Sequence, residues 1–280
     1  MEVFRYSTKS MNTDFEIQML AKSELYAKSA AYDLFAELER LEGDLSMFID
    51  GSSVSMMNSL KVGEIGIVME PTLELLAASM YASNISKGAI DVCMGEFFLN
   101  AKNKAHIDSP SKAEFEIDAE SFRVRKLAPG KLDFGAIGKG FALDVLAQKL
   151  VDAWEIDTAR LTFGGSSQLA LNTPEGVDSW NITFAGQKVD WFKFKNCALG
   201  SSGTAIQGMH ILDCRSAKAP ENPPLRTWAI CDSATVADAM STAFMILSRD
   251  EISEICESQN IIAGIQESEG APIEWIGKAD

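Results

Sequence analysis

Residues 131–144 read KLDFGAIGKGFALD. The stretch places three glycines, an acid and a base in a short loop that runs directly into apolar residues at helical spacing, including Phe141, Val145 and Leu146. Such a loop delivers backbone N–H groups and a lysine to a helix N-terminus, which suits an anion and above all a phosphate. The alternative is a turn whose glycines merely allow a strand and a helix to pack closely.

The loop matches neither of two common phosphate-binding motifs. A P-loop has Ser or Thr after its lysine, but Gly140 follows Lys139 here. A dinucleotide fingerprint is G-x-G-x-x-G after a buried strand, whereas this loop is G-x-x-G-x-G after the half-polar residues 131–134. The loop by itself therefore leaves both interpretations open.

Composition limits the possible partners of the chain. Its 280 residues are 46% hydrophobic, which is enough for a soluble globular protein with one large domain or two closely packed halves. The net charge of −15 argues against nucleic-acid binding through a broad basic surface and against docking on anionic lipid, because both need clustered Lys and Arg. An anionic ligand therefore needs a local site made of glycine amides, lysine or a metal.

The cysteines and the N-terminus point to no disulfide framework and no membrane anchor. Five cysteines are widely spaced without a C-x-x-C pair, so neither disulfides nor zinc are predicted. The N-terminal residues lack an apolar signal region, and no apolar run approaches the length of a membrane helix. The chain as written, without an export signal or a membrane span, is that of a cytoplasmic protein, but the sequence leaves cytoplasm and cell envelope open as its compartment.

Hydrophobic periodicity predicts an α+β fold. Helices are predicted at 23–45, 55–60, 70–87, 139–154 and 235–247. Short strands are predicted at 15–19, 115–117, 122–124, 161–163, 168–171, 181–184, 191–194, 209–212, 227–231, 261–265 and 273–276. Strands grouped as hairpins and separated by a few long helices favour one large domain with mixed and antiparallel strands over a repeating β-α-β pattern.

A second informative segment lies near the end of the chain. Asp238 and Thr242 are four residues apart on the predicted helix 235–247, so their oxygens project from one face and are able to share a hard cation such as magnesium. Thr235 and Asp238 also have the spacing of a capping pair that simply starts the helix. The segment by itself is compatible with both.

Three further residues are candidates for chemistry or ligand contact. His210 precedes a short apolar run and is suited to acid–base work or to orienting a phosphate, although a lone histidine in a strand is more often structural. Met11 and Phe48 are able to face a flat ring, with core packing as the alternative.

The set of segments resembles the FAD:protein FMN transferase family, also called the ApbE family, in order and spacing from end to end. Its D-x-G-x-x-x-K-G-x-x-x-D motif is matched by Asp133, Gly135, Lys139, Gly140 and Asp144. The other matching elements are Met11-Asn12-Thr13, residues 46–58, Gly88-Ala89-Ile90-Asp91, Gly164-Gly165, Ser202-Gly203, residues 210–213 and residues 237–243. The glycine–lysine loop and the final Asp–Thr helix are the specific ones.

The resemblance implies an α+β fold related to the T-fold and a magnesium-dependent enzyme. Such an enzyme transfers the FMN part of FAD to a Thr or Ser hydroxyl of an acceptor flavoprotein and releases AMP. The implied metal ligands are Asp238, Thr242 and the backbone carbonyl of Ala136. The implied FAD contacts are Met11, Phe48, Ala89, Ile90, Asp91, Asp133 and Lys139. Asp133 and His210 are both candidates for the general base, and the sequence does not choose between them.

Several positions depart from the family pattern. Phe48 stands where tyrosine is frequent, Asn12 replaces glycine, Ile90 replaces phenylalanine, Cys214 replaces proline and Ser166 replaces aspartate. These changes affect the flavin-lining positions more than the metal site. Two alternatives to the transferase are therefore an FAD pyrophosphatase that yields FMN and AMP, and an FAD-binding protein without turnover. Members of the family are usually exported, often as lipoproteins.

Overall fold

The computed structural model describes residues 2–102, 111–204 and 211–278 and contains two antiparallel sheets. The strands are β1 Glu2–Ser10, β2 Thr13–Ala21, β3 Ile65–Ile67, β4 Glu114–Asp118, β5 Arg123–Ala128, β6 Ala159–Phe163, β7 Ser167–Ala170, β8 Cys197–Gly203, β9 Arg226–Cys231, β10 Ile262–Gln266 and β11 Glu274–Ile276. The large sheet has the order β1-β2-β6-β7-β8-β9-β10-β11, and the small sheet has the order β3-β5-β4.

Seven α-helices accompany the sheets in the described part of the chain. They are α1 Glu24–Leu45, α2 Ser53–Ser59, α3 Glu70–Ile85, α4 Gly95–Lys102, α5 Gly138–Trp154, α6 Ala234–Ala243 and α7 Arg249–Gln259. Helix α1 begins where Ser23 accepts a hydrogen bond from the Tyr26 N–H, and α3 begins with a proline in its first turn.

The main core lies between one face of the large sheet and helices α1, α5 and α6. Alternate residues of β2, such as Phe15 and Ile17, pack against helix residues such as Leu34 and Leu146, all fully buried. A smaller cluster covers the opposite face of β7 to β10, where Phe184 and other aromatic rings of residues 172–196 pack on the strands. The sheet is thus buried on both faces along this half.

The predicted α+β class is confirmed, and all strand pairs among the described residues are antiparallel. The strands predicted at 181–184 and 191–194 are wrong. Both segments are loops joined by isolated bridges, because their aromatic residues are buried by packing on the sheet rather than by pairing in a ladder. Of the strand predicted at 209–212, residues 211 and 212 are irregular and the other two lie outside the described residues.

Strands β1, β3 and β8 and helices α4 and α7 were not predicted from the sequence. Strand β8 is rich in Gly and Ser, which have low strand propensity, and it is held by pairing with β7 and β9 on both sides. Helix α7 carries a complete capping box between Ser248 and Glu251, a signal that was available in the sequence. No described helix is both long enough and apolar enough to cross a membrane.

Candidate active site

A cleft of about 650 Å³ is lined by residues at the N-terminus of α5 and by Asp238 and Thr242 of α6. Its lining comes from widely separated parts of the chain. The predicted site residues that line it are Met11, Phe48, Ile90, Asp91, Asp133, Ala136, Lys139, Asp238 and Thr242. Of the predicted FAD contacts, only Ala89 is absent from the lining, and this residue is fully buried.

The glycine loop 133–138 is held in place by Asn58 of α2. The Asn58 amide donates to the Leu132 carbonyl at 3.0 Å, and its side-chain oxygen accepts from the Leu132 N–H at 2.7 Å. On the other side, Gly95 lies so close that a Cβ there would come within 2.7 Å of the Leu132 backbone. The loop therefore enters the cleft from an anchored position.

Asp133 lies at the start of this loop and faces the cleft. Its Oδ1 accepts a hydrogen bond from the Gly135 N–H at 2.8 Å, which forms a local turn of the kind that Asp favours. Its own N–H donates to the Val92 carbonyl at 2.9 Å. The backbone of Asp133 is thus fixed from both sides while its carboxylate remains at the cleft surface.

Asp238 is the most buried acid in the cleft, with 4% of its surface exposed. Its Oδ1 accepts from the Ser167 hydroxyl at 2.8 Å, and its Oδ2 accepts from the Gly140 N–H at 3.0 Å. The Lys139 amine lies 3.6 Å from the same Oδ2. A charged carboxylate at this depth requires such partners.

The capping interpretation of Asp238 is wrong. Helix α6 is capped by Ser233, whose hydroxyl oxygen accepts from the Val236 N–H. Asp144 of α5 completes this cap, since its carboxylate accepts from the N–H groups of Ala234 and Thr235 at 2.8 and 2.9 Å. The last acid of the glycine-loop motif thus anchors α6, while Asp238 remains available to the cleft.

Two glycines bring α6 close to its neighbours. A Cβ at Gly140 of α5 would lie 2.1 Å from the Ala234 carbonyl oxygen, and a Cβ at Gly200 of β8 would lie 2.1 Å from the Ala237 carbonyl oxygen. Gly140 does have a packing role, but it brings two helices together rather than a strand and a helix as predicted. The N–H of the same residue is also bound to Asp238, so this donor serves a protein carboxylate.

The residues around Asp238 suit a hard cation. Asp238, Thr242 and Ala136 all line the cleft, and these residues have a carboxylate, a hydroxyl and a backbone carbonyl. Oxygen donors of this kind suit magnesium, which is usually held by one or two carboxylates and completes its shell with water and substrate phosphate. Among the described residues no cluster of three His, Cys, Asp or Glu side chains is present, so a site built on such a cluster is not found there.

Asp91 and His210 differ from the other predicted residues. Asp91 lines the cleft, but its Oδ2 pairs with the Lys112 amine at 2.6 Å and its Oδ1 accepts from the Cys93 N–H at 2.9 Å, which gives it a structural task as well. His210 lies outside the described residues, so its role remains a prediction. Ser167 was not singled out from the sequence, because its position against Asp238 depends on strand pairing.

Cysteine chemistry at neutral pH is disfavoured. Burial raises the pKa of Cys93, Cys214 and Cys231 to about 12, which keeps each thiol protonated. Cys93 and Cys214 both lie beside Asp91 at the edge of the cleft. Their sulfurs therefore act there as small packing groups rather than as nucleophiles or thiolate ligands.

An α+β architecture whose cleft brings together a buried aspartate and a lysine at a helix N-terminus is typical of a ligand-binding protein. The chain belongs to the ApbE family, since the family model matches residues 11–265.

Solved structures with the same fold cover nearly the whole chain. The flavinyl transferase ApbE of Pseudomonas stutzeri is 22% identical with a TM-score of 0.84, covering 98% of this chain and 95% of that one. The flavin transferase ApbE of Vibrio cholerae is 18% identical with a TM-score of 0.79 (98% and 96%). The ApbE protein of Thermotoga maritima is 21% identical with a TM-score of 0.80 (98% and 97%). No curated protein gives a significant match.

Proposed function

We propose that this protein is a magnesium-dependent FAD:protein FMN transferase, which moves the FMN part of FAD to a Thr or Ser hydroxyl of an acceptor flavoprotein and releases AMP. Membership of the ApbE family supports the proposal, as do the names of the Pseudomonas stutzeri and Vibrio cholerae structures, which are called flavinyl and flavin transferases.

The observation that carries the proposal is the meeting of two distant segments in one cleft. Lys139, at the N-terminus of α5, lies 3.6 Å from Asp238 of α6. The pair combines a cationic group for a phosphate with a carboxylate for a metal in a chain whose net charge is −15. An acidic protein needs such local neutralisation to hold the pyrophosphate of FAD.

The reaction is a phosphoryl-type transfer without a redox change. The acceptor hydroxyl oxygen bonds to the phosphorus of the FMN half, and the bond from that phosphorus to the bridging oxygen breaks, so AMP leaves with the bridging oxygen. Lys139 would stabilise the charge that develops on the phosphate oxygens. When bound by Asp238, Thr242 and the Ala136 carbonyl, magnesium would add positive charge at the same oxygens.

The hydroxyl proton needs an acceptor as the new bond forms. Asp133 lies at the cleft with its backbone fixed, and this geometry makes it a candidate base. His210 is the other candidate from the sequence. Each of the two residues is replaced in turn by a residue with an amide side chain, and kcat and KM for FAD are measured for each variant. Loss of the base should lower kcat more than it raises KM, so the variant with the larger loss of kcat identifies the base.

Phe48 would pack against the flavin ring. Its side chain is 68% exposed and lines the cleft, so it is available to an incoming aromatic ring at little cost to the folded protein. The loop that carries it is closed at its base, where the Ser52 hydroxyl donates to the Ser46 carbonyl at 2.6 Å. A phenylalanine retains the stacking surface of the tyrosine that is frequent in the family.

The proposed function is tested by incubating the protein with FAD and MgCl₂, with and without an acceptor flavoprotein. We expect AMP only when the acceptor is present, in a one-to-one ratio with acceptor that has gained the mass of FMN, and no product after EDTA treatment. AMP and free FMN without acceptor would instead identify a pyrophosphatase. Intact bound FAD without AMP would identify a binding protein.

Replacing Lys139 by alanine should lower kcat/KM for FAD by about 100-fold, because a preorganised charge at the pyrophosphate is lost. Lys149→Ala is the matched control. Lys149 lies on the same helix and pairs with Asp33 and Glu37 at 2.9 and 3.3 Å, outside the cleft lining. Steady-state kinetics should show the loss in the Lys139 variant alone. Equal values of kcat/KM for FAD in the two variants would show that Lys139 does not bind the pyrophosphate.

A further inference from the structure

We infer that Ser167 is a positioning residue for the metal site, which orients the Asp238 carboxylate toward the cation. The inference rests on the proposed function, because it gives Asp238 the role of a magnesium ligand. It concerns a residue outside the proposed ligand set, and it follows from the place of Ser167 in the sheet.

Ser167 occupies a core position where its hydroxyl needs a specific partner. It lies at the start of β7, between Phe163 of β6 and Gly200 of β8, with 1% of its surface exposed. Alternation along β7 places it on the same side as Leu169, which packs in the helix-facing core. An alanine would suit this position sterically, and a buried hydroxyl without a partner would be costly.

The partner of this hydroxyl is Asp238. The Ser167 Oγ lies 2.8 Å from Asp238 Oδ1, compared with 3.5 Å from the Ser166 Oγ. Ser166 donates its own proton to the Phe163 carbonyl at 3.2 Å. The proton of Ser167 is therefore directed at the carboxylate.

The two oxygens of Asp238 are thus held by donors from two different elements. Ser167 binds Oδ1 from the sheet, and the Gly140 N–H binds Oδ2 from α5. Each carboxylate oxygen accepts more than one hydrogen bond or metal contact, so lone pairs remain for a cation. Fixing both oxygens sets the side-chain rotamer before a cation arrives, which lowers the entropy lost on binding.

Ser167→Ala tests this role, with Ser241→Ala as the matched control. Ser241 is also 1% exposed, and its hydroxyl donates to the backbone carbonyl of Asp238 at 2.8 Å, not to the carboxylate. Both variants remove one buried hydroxyl beside Asp238. Only the first removes a contact to the group that is proposed to bind magnesium.

Magnesium affinity is the readout, measured by titrating FAD-free protein with MgCl₂ in a calorimeter. We expect the dissociation constant to rise about 10-fold in Ser167→Ala and to stay at the wild-type value in Ser241→Ala. The half-saturating magnesium concentration for FMN transfer should rise by a similar factor, while kcat recovers at saturating magnesium. This second measure does not require tight binding by the FAD-free protein.

Two results would overturn the inference. One is that Ser167→Ala keeps the wild-type value of both the magnesium dissociation constant and the half-saturating magnesium concentration. The other is that both serine variants show the same change in magnesium affinity and the same loss of Tm, which indicates a general packing effect. The variant Asp238→Ala shows whether only the role of Ser167 is wrong or the proposed metal site as well. If Asp238→Ala also keeps wild-type magnesium affinity, the metal site itself fails and the role of Ser167 fails with it.

Discussion

Asp238→Ala should reduce magnesium-dependent FMN transfer at least about 1,000-fold while most of the protein stays folded. The change removes the only carboxylate of the proposed ligand set, and with it the charge that would hold the cation at the pyrophosphate. It also leaves the Gly140 N–H and the Ser167 hydroxyl without their acceptor, which should cost about 1 to 3 kcal/mol of stability. Transfer assays and thermal unfolding measure the two effects separately.

Asp144→Ala is the matched control for Asp238→Ala. Asp144 also lies at the contact of α5 with α6, but its carboxylate caps α6 and does not line the cleft. Its loss should lower stability by about 1 to 2 kcal/mol and leave the rate per folded molecule near the wild-type value. If both variants lose activity only in proportion to unfolding, Asp238 is a structural residue and the proposed metal site is wrong.

Gly200→Ala should destabilise the protein by about 3 kcal/mol or more. The added Cβ would lie 2.1 Å from the Ala237 carbonyl oxygen and 2.7 Å from the Asp238 N, and backbone atoms in a helix cannot move aside as a flexible side chain does. Helix α6 would have to shift away from β8 and carry Asp238 with it. Denaturant unfolding should therefore show a large loss of stability, accompanied by a loss of transfer.

Gly43→Ala is the corresponding control, and its effect should have the opposite sign. Gly43 lies inside α1, and a Cβ there would have no neighbour within 4 Å. The substitution should stabilise the protein by about 0.5 to 1 kcal/mol through the higher helix propensity of alanine. If Gly200→Ala, like Gly43→Ala, does not lower the free energy of unfolding, then α6 is not held against the sheet as closely as the 2.1 Å approach requires.

The sequence predicted the elements of this protein where local patterns are strong. Leucines at helical spacing predicted α1, and alternation predicted β2, because burial of one face acts on a single continuous segment. The same rule failed at residues 181–184 and 191–194. Apolar and polar residues alternate there as in a strand, but the aromatic rings are buried by packing on the sheet and the segments form only isolated bridges. It also missed β8, whose glycines and serines become a strand only between two neighbouring strands.

The candidate site was predicted as a set of residues rather than as a geometry. The glycine loop suggested an anion and the Asp238–Thr242 spacing suggested a cation, but each segment also had a structural interpretation. Those alternatives were distinguished by contacts between residues far apart in sequence, such as the 98-residue separation of Gly140 from Asp238. Local propensity carries no information about such contacts.

By itself, then, the sequence determined the fold class, a set of candidate site residues of which most line the cleft, and the need for local charge neutralisation in an acidic chain. Tertiary structure alone decided which acid does what: Asp144 caps α6, Asp238 is held by Ser167 and Gly140, and Gly140 both packs and donates. The physical reason is that a carboxylate takes its role from the donors around it. Packing of α6 between α5 and β8 brings those donors together.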